Sequence, residues 1–144
     1  TIGLIDPETS EFVWASRGFW AKQHDPEPLD DGRILVFDNE GHGGPGKPSR
    51  LVAFSPADNG IDWTYTGTND HPFYSATLGS HQPLSDGHVL VTASQTGRIF
   101  EIDREGTILW EYLNPTRRTK QGHAFVPTIC SAARISRKRL NFLD

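Results

Sequence analysis

Apolar positions along this chain fall in short runs, cut off by Asp, Pro, Gly and Asn rather than repeated at helical spacing. Gly3-Leu4-Ile5, the turn Asp6-Pro7-Glu8-Thr9-Ser10 and then Phe12-Val13-Trp14 read as strand, turn and strand. The same pattern returns from Arg50-Leu51-Val52-Ala53-Phe54 to Ile61-Asp62-Trp63-Thr64-Tyr65. It returns again from Arg98-Ile99-Phe100-Glu101-Ile102 to Ile108-Leu109-Trp110-Glu111-Tyr112. Every copy carries Trp on its second strand, and alternation sets Ile108, Trp110 and Tyr112 on one face.

A second unit precedes two of these hairpins. Pro28-Leu29-Asp30-Asp31-Gly32-Arg33-Ile34-Leu35-Val36 matches Pro83-Leu84-Ser85-Asp86-Gly87-His88-Val89-Leu90-Val91 position for position, with Gly87 following Gly32 by 55 residues. Asp-Gly supplies the positive-φ residue of a tight turn, and the apolar run after it predicts a strand buried on both faces. Edge residues, turn, buried strand, loop and Trp-closed hairpin make up one blade of a β-propeller, four antiparallel strands per blade. The predicted fold class is therefore all-β, with about two and a half blades. Residues 1–16 end one blade, 17–66 form a second, 67–115 a third, and 116–144 a closing strand (Val126 to Ile135) with a basic tail. A ring needs about four blades or more, so the expectation is that missing N-terminal sequence or self-association completes it, the third possibility being an open stack of sheets.

Composition narrows the function. A chain of 144 residues is one domain's worth, and its 15 aromatics supply a core despite a mean hydropathy of -0.49. Net charge -4 gives no footprint for nucleic acid, and no apolar run is long enough to cross a membrane. The basic residues bunched at the end (Arg117, Arg118, Lys120, Arg134, Arg137, Lys138, Arg139) read as a solvated face in preference to an anion-binding patch. A single cysteine, Cys130, excludes an internal disulfide and reads as a small core residue.

The stretch from Gln23 to Asn39 concentrates the candidate chemistry. Gln23-His24-Asp25 stands before the turn, and Phe37-Asp38-Asn39 stands at the far end of the buried strand. A neutral imidazole serves as nucleophile or base once its other ring nitrogen is held by an acceptor, and Asp25 and Asp38 are the candidate orienters. The competing reading is that His24 merely caps a turn. His81 holds nearly the same place in the next copy, which suggests a structural role. His71 and His123 fall in loops, and His88 matches Arg33 at an exposed strand position. Glu40 to Pro48, rich in glycine and absent from the second copy, is a surface connection or a flap. No EF-hand loop, His-Glu-x-x-His pattern, phosphate loop, Gly-x-Ser-x-Gly elbow or dinucleotide fingerprint occurs, so no metal or cofactor is expected.

Gly18-Phe19-Trp20, Gln23-His24-Asp25 and Leu35-Val36-Phe37-Asp38-Asn39-Glu40-Gly41 resemble the C-terminal part of the bacterial arylsulfotransferase family. So do Ser49-Arg50-Leu51, Trp63-Thr64-Tyr65, Phe73-Tyr74-Ser75, Gly97 to Ile102 and Ile108 to Pro115. The resemblance implies a six-bladed propeller, secreted or periplasmic, that moves a sulfuryl group from an aryl sulfate to a phenol without a nucleotide donor. It implies that His24 attacks sulfur and is transiently sulfated. Asp25, Asp38, Asn39 and Arg50 are the candidate substrate-binding residues beside it, and Arg17 and Arg50 are sources of charge that no family motif assigns. The family's other sulfate-holding His, Asn and Arg residues lie upstream of the matching part, so this stretch alone is expected to be inactive. The alternative is a non-catalytic propeller module for binding or assembly.

Overall fold

The computed structural model describes residues 1–40, 47–140 and 142. Two compact units divide the chain, Thr1–Ala76 and Thr77–Asp144. In the first, β1 (Ile2–Ile5) and β2 (Phe12–Ser16) form a hairpin. They are followed by a four-stranded antiparallel sheet of β3 (Gln23–Pro28), β4 (Ile34–Asp38), β5 (Arg50–Phe54) and β6 (Ile61–Tyr65), paired in chain order. The second repeats that sheet with β7 (Ser80–Pro83), β8 (Val89–Ala93), β9 (Arg98–Ile102) and β10 (Ile108–Leu113). A small hairpin, β11 (Arg118–Lys120) and β12 (His123–Phe125), follows. These are the four-stranded blades that the repeat predicts.

The repeat is scaffold at the level of hydrogen bonds. Both Asp-Gly turns close identically: Leu29 N–H to Arg33 O and Gly32 N–H to Leu29 O, then Leu84 N–H to His88 O and Gly87 N–H to Leu84 O. Gly32 and Gly87 sit at φ 87° and 84°, a region costly for a side-chain-bearing residue. The apolar runs they introduce, β4 and β8, are buried at every position.

In the first unit, the hairpin packs on the face of the sheet formed by Ile34, Val36, Val52 and Phe54. Ile2 and Trp20 are buried against it, with Trp14 and Phe19 beside them. Phe54 is the centre of this layer, its ring 6.4 Å from Trp14, 5.9 Å from Phe19 and 5.1 Å from Trp20. On the opposite face, Phe73 comes back from the connection after β6 to meet Phe37 and Tyr65.

Three expectations are corrected in the second unit. Val126 to Ile135 forms no strand; it is extended chain whose backbone is tied to the sheet mainly through side chains, and the strands of this region are β11 and β12. Cys130 is exposed and not a core residue, because an extended chain lying over a sheet turns some of its side chains outward. His88 is half-buried, since the Glu101 carboxylate beside it draws the ring inward (Nδ1–Oε1 2.9 Å).

Replacing Phe54 with Ala should destabilise the first unit by about 3–5 kcal/mol through loss of the ring and the cavity left behind, read from urea unfolding followed by Trp fluorescence. Asp103 offers a pH-dependent check. The Thr107 N–H, 2.7 Å from its Oδ1, holds this carboxyl below its ordinary 3.8. A depressed folded pKa contributes stability that is present above the ordinary value and lost as pH falls through the folded one. Asp103→Asn should therefore lower the urea midpoint at neutral pH, with the gap from wild type narrowing in acid below 3.8.

Candidate functional site

Antiparallel order brings the start of β3, the end of β4, the start of β5 and the chain leaving β6 to one end of the first sheet. Candidate residues from all four of those places meet there. Asp38 leaves β4 fully buried and is paired in register with Arg50 on β5. Its Oδ2 takes the Arg50 Nε–H at 2.7 Å, and its Oδ1 takes the Ala21 N–H at 2.7 Å. Arg50 also donates to Phe19 O at 2.7 Å and lies over the Phe19 ring. A Lys22–Glu40 ion pair and the Glu40 N–H to Ala21 O bond complete the attachment. The predicted Asp38 and Arg50 are thus joined to each other, and they fix segment 19–22, from which β3 begins.

His24 enters on that strand, opposite Phe37. A bulge follows it: the register shifts between His24 and Glu27, and Asp25 takes φ 52°. Short polar Asp tolerates the left-handed region better than most residues, and such a bulge re-aims the neighbouring side chain. The second blade has no bulge there. Ser80 pairs with Thr92 and His81 with Val91, so Ser80, not His81, holds the register position of His24. Buried His81 belongs to the other face of its strand, and its likeness to His24 was one of spacing alone.

The Nδ1 of His24 is 2.6 Å from Asn39 Oδ1 and 2.9 Å from Lys22 O. Asn39 is fully buried, and its amide can face only one way, because its Nδ2–H₂ donates to Ser75 O at 2.6 Å. Both partners of Nδ1 are therefore acceptors. Nδ1 carries the ring proton, and Nε2 is left with an open lone pair. Among the described residues, Nε2 takes no hydrogen bond. The orienter foreseen as Asp25 or Asp38 is the Asn39 amide, helped by a backbone carbonyl. Asp25 is exposed in the bulge, where it and burial raise the pKa of Glu27, burial being the larger cause.

Two serines hold Asn39 in turn. The Ser49 hydroxyl accepts from Ser75 N–H at 2.8 Å and donates to Asn39 O at 2.7 Å, with Ser75 O 3.1 Å away. Ser49 N–H donates to Phe73 O, tying the chain after β6 to the chain entering β5. A sequence reading confined to titratable groups passes over Asn39 as orienter and over both serines. Comparison of the two repeats would have found them: at the places of His24, Asp38, Asn39 and Ser49 the second blade has Ser80, Ala93, Ser94 and Gly97. A shallow hollow of about 420 Å³ lined by Pro48, Gly67, Pro72 and Tyr74, among others, lies along the same connection without including His24. The Gly-rich flap falls mostly on residues 41–46, outside the described residues, and His42 with it. Arg17 is exposed.

Among the described residues one group has metal-ligand spacing, Asp86, His88 and Glu101 in the second unit. Arg134 supplies the positive charge there, its Nη1 2.8 Å from Glu101 Oε1 and 3.5 Å from Asp86 Oδ2. No helix is long and apolar enough to cross a membrane.

The Nδ1–H form is the reverse of the tautomer that histidine favours in water, so it is a signature. Nitrogen NMR of the wild type should show a protonated Nδ1 and a pyridine-like Nε2 at His24. Asn39→Ala should move the balance toward the Nε2–H form.

Compared with known proteins, residues 1–115 match the model of the family described as arylsulfotransferase (ASST). A search of curated proteins finds no match.

Proposed function

The chain belongs to the arylsulfotransferase family, and we propose that it carries the nucleophile of an aryl-sulfate sulfotransferase, His24. The observation that supports this most is the pair of acceptors on Nδ1, which leaves Nε2 unprotonated. In the proposed reaction the Nε2 lone pair attacks the sulfur of an aryl sulfate. The S–O(aryl) bond breaks, and the phenolate leaves with the electron pair and takes up a proton. The ring becomes cationic as N–S forms, and the Nδ1–H bonds to Asn39 Oδ1 and Lys22 O strengthen as that charge grows. A phenol acceptor then loses its proton and attacks sulfur, N–S breaks, and the lone pair returns to Nε2, giving ping-pong kinetics.

Asn39 acts through His24 and is a positioning residue. Asp38 and Arg50 act further back, by setting where β3 begins, so their part in substrate binding is indirect in this reading. Phenolic and aryl sulfate molecules are the partners, no cofactor takes part, and the site of action is the periplasm or the exterior. The chemistry is proposed for a complete ring of blades; the stretch alone is inactive in this reading.

The test is intact mass of the encoded full-length protein after incubation with 4-nitrophenyl sulfate in the absence of acceptor. A gain of one sulfuryl group is expected, lost on adding phenol and absent in His24→Ala. Asn39→Ala should slow adduct formation about 100-fold, the cost of a misplaced nucleophile. A protein that releases no nitrophenol and gains no mass, though folded, would establish the alternative, a non-catalytic blade module.

A further inference from the structure

Two residues with left-handed backbones frame the histidine of the first blade, Lys22 at φ 54° and Asp25 at φ 52°. The second blade separates their roles. Ser80 holds the register position of His24, so Leu78 stands for Lys22, and Leu78 is left-handed too, at φ 60°. The twist at Lys22 therefore belongs to the repeat, as the way the chain enters an inner strand. Asp25 has no such counterpart among the described residues. Where Asp25 and Pro26 together stand opposite Val36, His81 alone stands opposite Val91.

The two-for-one step is a bulge of the kind that puts its first residue in the left-handed region, a place glycine usually fills. Here aspartate fills it, directly before a proline, and a proline disposes the residue ahead of it toward extended backbone. Asp25 is thus held against its own preference on both counts. Pro26 suits the place after it, since it has no N–H to lose from the ladder. The outcome is visible in burial: Asp25 and Pro26 are both exposed, whereas His81 is buried. It is also visible at His24. The cross-strand partner of His24 is Phe37, yet its ring reaches Asn39, two residues further along, with Nδ1 2.6 Å from Oδ1. Local twist favours a diagonal contact of that kind, and a bulge increases the twist. Burial and, after it, the Asp25 charge raise the pKa of Glu27, so the carboxylate brings repulsion to the bulge.

We propose that Asp25 is a positioning residue for His24 and that it acts through its left-handed backbone, not through its carboxylate. The bulge turns the imidazole along the strand toward Asn39, where Nδ1 donates and Nε2 is left open. The part this plays in catalysis rests on the reading of His24 as the nucleophile. Strain at one exposed residue beside the ring is kept because the extended alternative aims the ring elsewhere.

Three substitutions in the encoded full-length protein separate backbone from charge. Asp25→Gly and Asp25→Asn both accept the left-handed region, whereas Asp25→Val is kept from it by its branched side chain. Nitrogen NMR reads the His24 tautomer in each, and intact mass reads the rate of sulfuryl transfer from 4-nitrophenyl sulfate. Asp25→Gly and Asp25→Asn should keep the protonated Nδ1 and stay within about twofold of the wild-type rate, as a surface substitution does. Asp25→Val should lose the Nδ1–H preference and slow the transfer about 100-fold, the cost of a displaced nucleophile. A fourth form, Asp25→His with Pro26 deleted, gives the strand the plan of the second blade, which folds without a bulge. It should behave as Asp25→Val does, and it decides the matter where Asp25→Val does not fold. Asp25→Gly or Asp25→Asn as impaired as Asp25→Val would overturn the proposal in favour of the carboxylate. A wild-type tautomer in Asp25→Val or in the bulge-free form would overturn it outright. Should wild type form no adduct, the nucleophile reading falls, and the tautomers alone decide the part of Asp25.

Discussion

Everything at the candidate site depends on one buried amide. Asn39 has no charge and no contact with bulk water, so each of its polar atoms must be satisfied inside the protein. Its Oδ1 reaches His24, its Nδ2 reaches Ser75, and its backbone oxygen receives Ser49. An amide held at its nitrogen cannot rotate to offer that nitrogen to the histidine. The tautomer of His24 is thus fixed by a hydrogen bond two steps away from the ring, made by a loop that returns only after β6. Ser49 makes this arrangement rigid because one hydroxyl both accepts and donates between the two loops.

The repeat explains why such a junction is possible. Propeller blades repeat a turn, a buried strand and an outer hairpin, and both blades follow that plan down to single turn hydrogen bonds. Arg50 and Arg98 open the third strand in both, but Arg50 turns to Asp38 on β4 while Arg98 turns to Glu111 on β10. The first arrangement pulls segment 19–22 onto the mouth of the sheet, and the second leaves that mouth to the three-residue 3-10 turn Ser94–Thr96. One blade is a scaffold with a site set into its end; the other is close to the bare scaffold.

Blade order, the two buried strands and the Trp hairpins were legible in the sequence because each rests on a local rule, apolar alternation or an Asp-Gly turn. His24 was legible as a candidate because it stands beside a repeat whose second copy lacks the surrounding Gln-His-Asp and Phe-Asp-Asn. The orienter was not. Sequence neighbours suggested Asp25 and Asp38, and contacts between strands decided for Asn39, since Asp38 was already taken by Arg50 across the ladder. The bulge at Asp25 was equally hidden, and without it the spacing of His81 looks like an equivalence. The strand expected over Val126 to Ile135 failed for a related reason: an apolar run reads as a strand whether or not a free ladder exists to receive it. At the inner edge of β7–β10 the chain is met by side chains such as Gln82 and makes no ladder.

A neutral orienter also suits the proposed chemistry better than the carboxylate that sequence neighbours suggested. A carboxylate on Nδ1 stabilises the imidazolium, which strengthens attack on sulfur and equally strengthens the N–S bond that must break in the second half of the cycle. An amide oxygen fixes the same tautomer and accepts the same proton but brings no full charge, so the gain in attack is smaller and the sulfated ring remains a better leaving group. In a two-step transfer the slower step sets the rate, and a balanced nucleophile outperforms a strong one. Asp38, the nearest buried carboxylate along the chain, is kept from such a role by the Arg50 guanidinium and the Ala21 N–H, which take one of its oxygens each. The ion pair that builds the mouth of the sheet therefore also withholds a negative charge from the ring it positions.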